Sequence, residues 1–258
     1  MRYQSLFLLG GHDLEMNAII QLLEEHHLIY KDRSLQWNNA YLSQYEQDLS
    51  LFKDNSSYKI YGIELQEDIV PPSNYVRIDH HNQYTKLPSA LEQIAELLHH
   101  PLNRWQQLIA INDKAYIPGL QQAGASQEEI LRIRFEDRKA QGVSINDELL
   151  AEKAIRENKE ETENLIVVRA YSDRFSPICD RLYPFKQLLI YTDKELVYYG
   201  KGIPLLQKIF KEELLAGKMF CGGGDNGYLG TKQKRYSFIE LQTIINQIKQ
   251  YLSLIHIS

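Results

Sequence analysis

The chain has 258 residues, 43% hydrophobic and 24% charged, which is long enough for one large domain or two modest ones and too apolar to stay disordered. Its net charge of −5 argues against a protein that coats nucleic acid, though not against a small phosphorylated substrate in a local pocket. Only Cys179 and Cys221 occur, far apart, and no apolar run reaches bilayer length, so a cytoplasmic protein without a disulfide framework is expected.

In chain order, Ser5 to Leu9 is too short for a signal-peptide core and reads as a buried strand, turned by Gly10-Gly11. Leu14 to Leu28 has helical spacing and ends in His26-His27. Asn39 to Phe52 reads as a second helix, Tyr58 to Leu65 as a second strand, and Tyr75 to Ile78 as a third strand after the Pro71–Asn74 loop. Ser89 to His99 is a helix stopped by Pro101. Arg104 to Asn112 is apolar enough for a buried helix or strand, and periodicity does not decide between them. Pro118-Gly119 marks a break.

From Ser126 to about Asn158 the pattern is helical and charged, interrupted at Gly142-Val143-Ser144, and Glu160 to Asn164 reads as a solvated connector. A second lobe then begins at Leu165–Val168. Strands at Leu188–Tyr191 and Leu196–Tyr199 flank a hairpin at Thr192–Glu195. An amphipathic helix at Ile203–Leu215, a short strand at Met219–Cys221, a glycine cluster at Gly222–Gly227 and a last helix from Phe238 to about Tyr251 follow. Leu252–Ser258 resembles the translation of a sequencing adapter and is set apart as an artefact tail. The expected class is therefore α/β: a parallel-sheet lobe (1–122), a helical connector (123–164) and a smaller mixed α/β lobe (165–251).

Strand ends carry the chemistry. Asp13 and Glu15 lie at the turn after the first strand, Glu64 closes the second and Asp79-His80-His81 the third, while Asp113 follows the apolar run Leu108–Asn112. In an open α/β sheet the carboxyl edge of the strands forms one crevice. Several carboxylates with imidazole suit Mn²⁺ or Mg²⁺, and a metal pair there would lower the pKa of a bridging water and neutralise phosphoryl oxygens. The His26-His27 and His99-His100 pairs, at helix C-termini, read instead as partners of the helix dipole.

This order of motifs resembles the DHH phosphoesterase superfamily, named for Asp-His-His, over nearly the whole chain. The resemblance implies metal-dependent hydrolysis of a phosphodiester or phosphoanhydride in a small nucleotide or short single-stranded oligonucleotide. It implies Mn²⁺ or Mg²⁺, as two ions, on Asp13, Glu15, Glu64, His80 and Asp113. Asp79 would orient a histidine, and His81 would contact phosphate or protonate the leaving group. In the second lobe Gly222, Gly223, Gly224 and Asn226 would offer groups to the phosphate, with Arg138 of the connector as a further contact. The chain departs from the family in Asp-Leu-Glu for Asp-x-Asp, in Glu64 for Asp, and in Asp225 where a histidine usually follows the glycines. The longer carboxylates leave open an inactive DHH-like protein that binds a nucleotide or metal. The glycine cluster also reads as an ordinary hairpin turn.

Overall fold

A computed structural model describes residues 4–53, 55–223 and 226–255. The chain divides into two compact units, Met1–Gly142 and Val143–Ser258, a boundary that falls inside the segment expected as a connector.

The first unit opens with β1 (Gln4–Leu9), α1 (Leu14–Glu25) and β2 (Ile29–Lys31). Then come α2 (Glu46–Phe52), β3 (Tyr58–Ile63), β4 (Tyr75–Ile78), α3 (Ala90–Leu97), α4 (Arg104–Gln122) and α5 (Gln127–Ala140). Its four strands are all parallel, in the order β2-β1-β3-β4. Parallel sheets are covered on both faces, which is why Leu6 to Leu9 form one uninterrupted buried run. On one face Leu6, Leu8 and Ile60 pack against Leu42, Tyr45 and Leu49.

Register places the site. Leu9 pairs with Ile63 and Ile63 with Ile78, so β1, β3 and β4 finish at one level. The residues that follow them therefore emerge along a single edge. The chain steps from β1 outward to β2 and returns to β3 on the other side of β1, so the edge between β1 and β3 is a topological switch point. Gly10 is needed there, because an added Cβ would lie 2.6 Å from the carbonyl oxygens of Ile63 and Glu64.

Arg104–Asn112, which the sequence left open as helix or strand, is helical, within α4, and two elements of this unit differ from the sequence reading. Asn39–Phe52 is not one helix: the backbone of Ala40 and Leu42 hydrogen-bonds to Gln66, leaving short 3₁₀ turns before α2. β2 has no sequence signal, having only three residues with Ile29 exposed.

The second unit contains α6 (Ile145–Asn158), β5 (Lys159–Glu161), β6 (Ile166–Arg169), α7 (Ser176–Leu182), β7 (Gln187–Tyr191) and β8 (Leu196–Lys201). It continues with α8 (Ile203–Ile209), α9 (Lys211–Leu215), β9 (Met219–Gly222), β10 (Asn226–Thr231) and α10 (Phe238–Ile255). Its mixed sheet has the order β5-β6-β7-β8-β10-β9, with only β6 and β7 parallel. Strand alternation sends Leu188 and Ile190 toward Ala151, Ala154 and Ile178, and Leu189 toward Leu206, Leu241 and Ile248. The Ile203–Leu215 helix is broken at buried Phe210. Leu252–Ile255, expected from the sequence to belong to an artefact tail, continue α10, and residues 256–258 lie outside the described residues. No helix among the described residues is long and apolar enough to cross a membrane.

Candidate metal centre

Glu64, the first residue past β3, has a left-handed backbone (φ +53°), a conformation costing a non-glycine residue roughly 1–3 kcal/mol. It is held there by β-register: its N–H donates to the Ile78 carbonyl (2.8 Å), continuing the β3–β4 pairing. The buried carboxylate meets both imidazoles, with Oε1 lying 3.3 Å from His80 Nδ1 and 3.2 Å from His81 Nε2. His80 Nε2 is 2.7 Å from Asp113 Oδ2. One donor atom each from Glu64, His80, His81 and Asp113 falls within 4.8 Å of all the others.

Asp113, after the apolar run left open as helix or strand, lies inside α4, and the helix delivers it to the sheet edge. The N-terminus of α3 also reaches the site. The Leu91 N–H donates to Glu15 Oε1 (3.1 Å), and the Ala90 N–H approaches His80 Nδ1 (3.2 Å). His80 Nδ1 thus lies between the Glu64 carboxylate and the Ala90 N–H, from which it can accept only when unprotonated.

Asp13 and Glu15 are buried beside this group but not within it. Asp13 is the N-cap of α1, its Oδ1 accepting from Met16 N–H at 2.8 Å. Burial, followed by the charges of Glu64 and Asp113, holds both carboxyls well above the usual carboxylate range. Burial pushes Glu64 the same way, but the adjacent His80 and His81 imidazoles prevail and lower it. Burial opposes the His80 imidazolium, yet Asp113 and Glu64 overcome it and push its pKa up to about 10. The Glu64 carboxylate likewise raises His81.

Glu15 Oε2, both Glu64 oxygens, His80 Nε2 and Asp113 Oδ2 are buried with no aligned hydrogen bond among the described residues. Close approaches such as His80–Asp113 are therefore charge contacts with the lone pairs left over. Buried acceptors without donors are costly, and hard carboxylate oxygens with imidazole nitrogen are the donor set of a divalent cation. The residues present fit such an ion.

The remaining expected residues are placed as follows. Asp79 does not hold a histidine ring; its Oδ1 accepts from the backbone N–H of His81 (2.9 Å). Arg138 is buried on α5 and does not line the cleft of about 380 Å³ that opens onto Asp13, Glu64, Asp79, His81 and Asp113. Gly222 and Gly223 belong to the β9–β10 hairpin of the second unit, and Gly223 has φ +77°. Gly224 and the Asn226 side chain lie outside the described residues.

Sequence reasoning missed Trp37, which lines the cleft with its ring 5.9 Å edge-on from His81. It also missed Asp137, whose Oδ1 caps Leu14 N–H (3.4 Å). Arg134 bonds both Asp137 (2.7 Å) and Asn112 (2.9 Å), tying α5 to the neighbours of Asp13 and Asp113. The only local signal was the i,i+3 spacing of Arg134 and Asp137, common on solvated helices.

No known family model matches the chain, and no curated protein matches it. Solved structures do. PggH, the pGpG-specific phosphodiesterase from Vibrio cholerae, superposes with a TM-score of 0.52 at 12% identity, covering 98% of this chain and 99% of that one. The DHH domain of a member of the s1p family of ribosomal proteins gives 0.52 at 12% identity, covering 95% of this chain and 86% of that one. Both likenesses run along nearly the whole length. In fold, this chain is like these two structures, one of them a DHH domain.

Proposed function

We propose that the chain is a divalent-metal-dependent phosphoesterase that hydrolyses a phosphodiester or phosphoanhydride in a small nucleotide or short single-stranded oligonucleotide. The observation that carries this reading is the convergence of buried, donorless oxygens with two imidazoles at the switch point of the parallel sheet. Glu64, His80 and Asp113 would hold the metal, with Asp13 and Glu15 beside them for a second ion. A divalent cation there, Mn²⁺ being the first to try, supplies Lewis acidity toward phosphoryl oxygen and activates water.

The protein's own groups do the rest. His81 is half exposed in the cleft, and its raised pKa keeps more of it cationic near neutrality. It is therefore suited to bind a phosphoryl oxygen or to protonate the departing alkoxide. Asp79 acts on it through the backbone, fixing the residue that carries the ring. Backbone N–H groups of Gly222, Gly223 and Gly224, with Asn226, would grip phosphate as close-approach glycines can. Arg138, being buried, would contribute only through a neighbour.

A second reading rests on a specific observation. Asp13 and Glu15 each already accept a backbone N–H, and among the described residues there is a single compact ligand group. A DHH-like protein that binds nucleotide or metal without turnover would look the same.

The test is an Mn²⁺-supplemented panel of pyrophosphate, linear dinucleotides, cyclic dinucleotides and short single strands, with metal content measured by mass spectrometry. Product from the wild type and none from His80→Ala is expected. Equal product from both means a contaminant, and metal bound without any product supports the binding protein.

A further inference from the structure

The lining of the cleft mixes the titratable Glu64, Asp79, His81 and Asp113 with the apolar Trp37, Ala40 and Leu65. Trp37 is 37% exposed, a large aromatic surface left facing solvent beside a charged site. It is also braced. Its ring covers Gly11 so closely that an added Cβ would collide with the indole, and His81 meets it edge-on at 5.9 Å. The short turn that carries it is tied to the strand edge by the pairing of Gly11 with Leu35. An indole fixed on one side and open on the other offers a flat, sequence-tolerant surface to an aromatic ring. At about 380 Å³ the cleft also lies within the roughly 300–1,000 Å³ typical of small-molecule sites.

We propose that Trp37 is the stacking platform for the substrate's base, so that the site takes a nucleotide rather than an inorganic phosphoanhydride. This deepens the phosphoesterase reading and rests on it for the placement of the phosphate. Trp37 is a specificity-determining residue, since it touches the base and not the scissile bond. An inorganic substrate has no group to cover the indole, and its neighbours Ala40 and Leu65 offer nothing to a phosphate.

The chain has two tryptophans, and the other, Trp105, lies on α4 under the Arg132 guanidinium. In a Trp105→Phe background, fluorescence therefore reports Trp37 alone. That protein is titrated with a 5′-phosphorylated dinucleotide and, separately, with pyrophosphate, each in EDTA and in Ca²⁺. The dinucleotide is expected to quench the emission, and pyrophosphate is not. By equilibrium dialysis of radiolabelled dinucleotide, Trp37→Ala should weaken binding about 5- to 150-fold, the range for losing one base–aromatic stack. Trp37→Phe should recover most of it. An unfolding midpoint for each variant separates lost stacking from lost structure.

Unchanged dinucleotide affinity in a folded Trp37→Ala, or equal quenching by pyrophosphate, overturns the proposal. Quenching and Trp37-dependent binding without hydrolysis would leave it standing and sink the phosphoesterase reading. Hydrolysis with a KM indifferent to Trp37→Ala would do the reverse.

Discussion

His80 and His81 are adjacent in sequence yet placed for different work. His80 is buried and wedged between Glu64 and Asp113; His81 has a side chain 41% exposed on the cleft. His80→Asn should therefore abolish metal retention. His81→Asn should keep bound metal while lowering kcat by about 10²–10⁴, the usual loss for a general acid. Metal analysis and steady-state kinetics on the two purified variants check this, and loss of metal from both would place His81 among the ligands instead. Asp-His-His was legible because its residues are contiguous and follow an apolar strand. Glu64 was legible only as a strand end, and nothing local foretold its left-handed backbone. Trp37 was invisible because it sits in a polar turn, and only the fold sets Gly11 and His81 around it.

Helix ends assemble much of the site. Asp13 caps α1, and the first N–H groups of α3 reach Glu15 and His80. A capping residue and a metal ligand make different demands on one side chain. Asn caps a helix as well as Asp does but carries no charge. Asp13→Asn should therefore leave metal-free stability equal or higher, since it removes a buried carboxyl whose ionisation burial already opposes. The same change should weaken metal affinity by at least about tenfold, the smaller end of what even indirect ligand partners contribute. Urea unfolding and metal titration measure the two, and destabilisation by about 1 kcal/mol or more, the usual cost of losing a cap, would contradict the argument. The alternation of strand and helix made the parallel sheet readable, as continuous apolar runs do for strands covered on both faces. The apolar stretch before Asp113 was ambiguous for the same reason: a fully buried helix and a buried strand look alike over nine residues. The turns before α2 escaped because a long-range pairing with Gln66 overrides local helical spacing.

At the scale of the whole molecule, the net charge of −5 hides a local excess of acid in the first unit. Asp13 and Glu15 have folded pKa values above their unfolded ones, so the stability they contribute is full below about pH 4 and is lost as pH rises through the elevated values. His80 has the same sign: its contribution is full below about pH 6.5 and disappears as pH climbs through about 10. Glu64 has the opposite sign, being lowered, and its share is lost only as pH falls below its ordinary range. Raising pH from 6.5 to 8.5 therefore erodes the stability that the protons held by His80 and the two acids give the metal-free protein, although folded His80 itself stays protonated until about pH 10. A divalent cation replaces those protons as the neutralising charge. At a hundredfold excess over Kd it adds about 2.7 kcal/mol, roughly 5–10 °C in Tm for a domain this size. The Mn²⁺-induced rise should be larger at pH 8.5 than at 6.5, with proton release visible by calorimetry in buffers of different ionisation enthalpy. Hydrogen exchange should show the added protection on peptides from residues 4–142, where every proposed metal ligand lies. A Tm increment that stays flat or shrinks with rising pH would mean that the cation binds somewhere other than among these carboxylates and imidazoles.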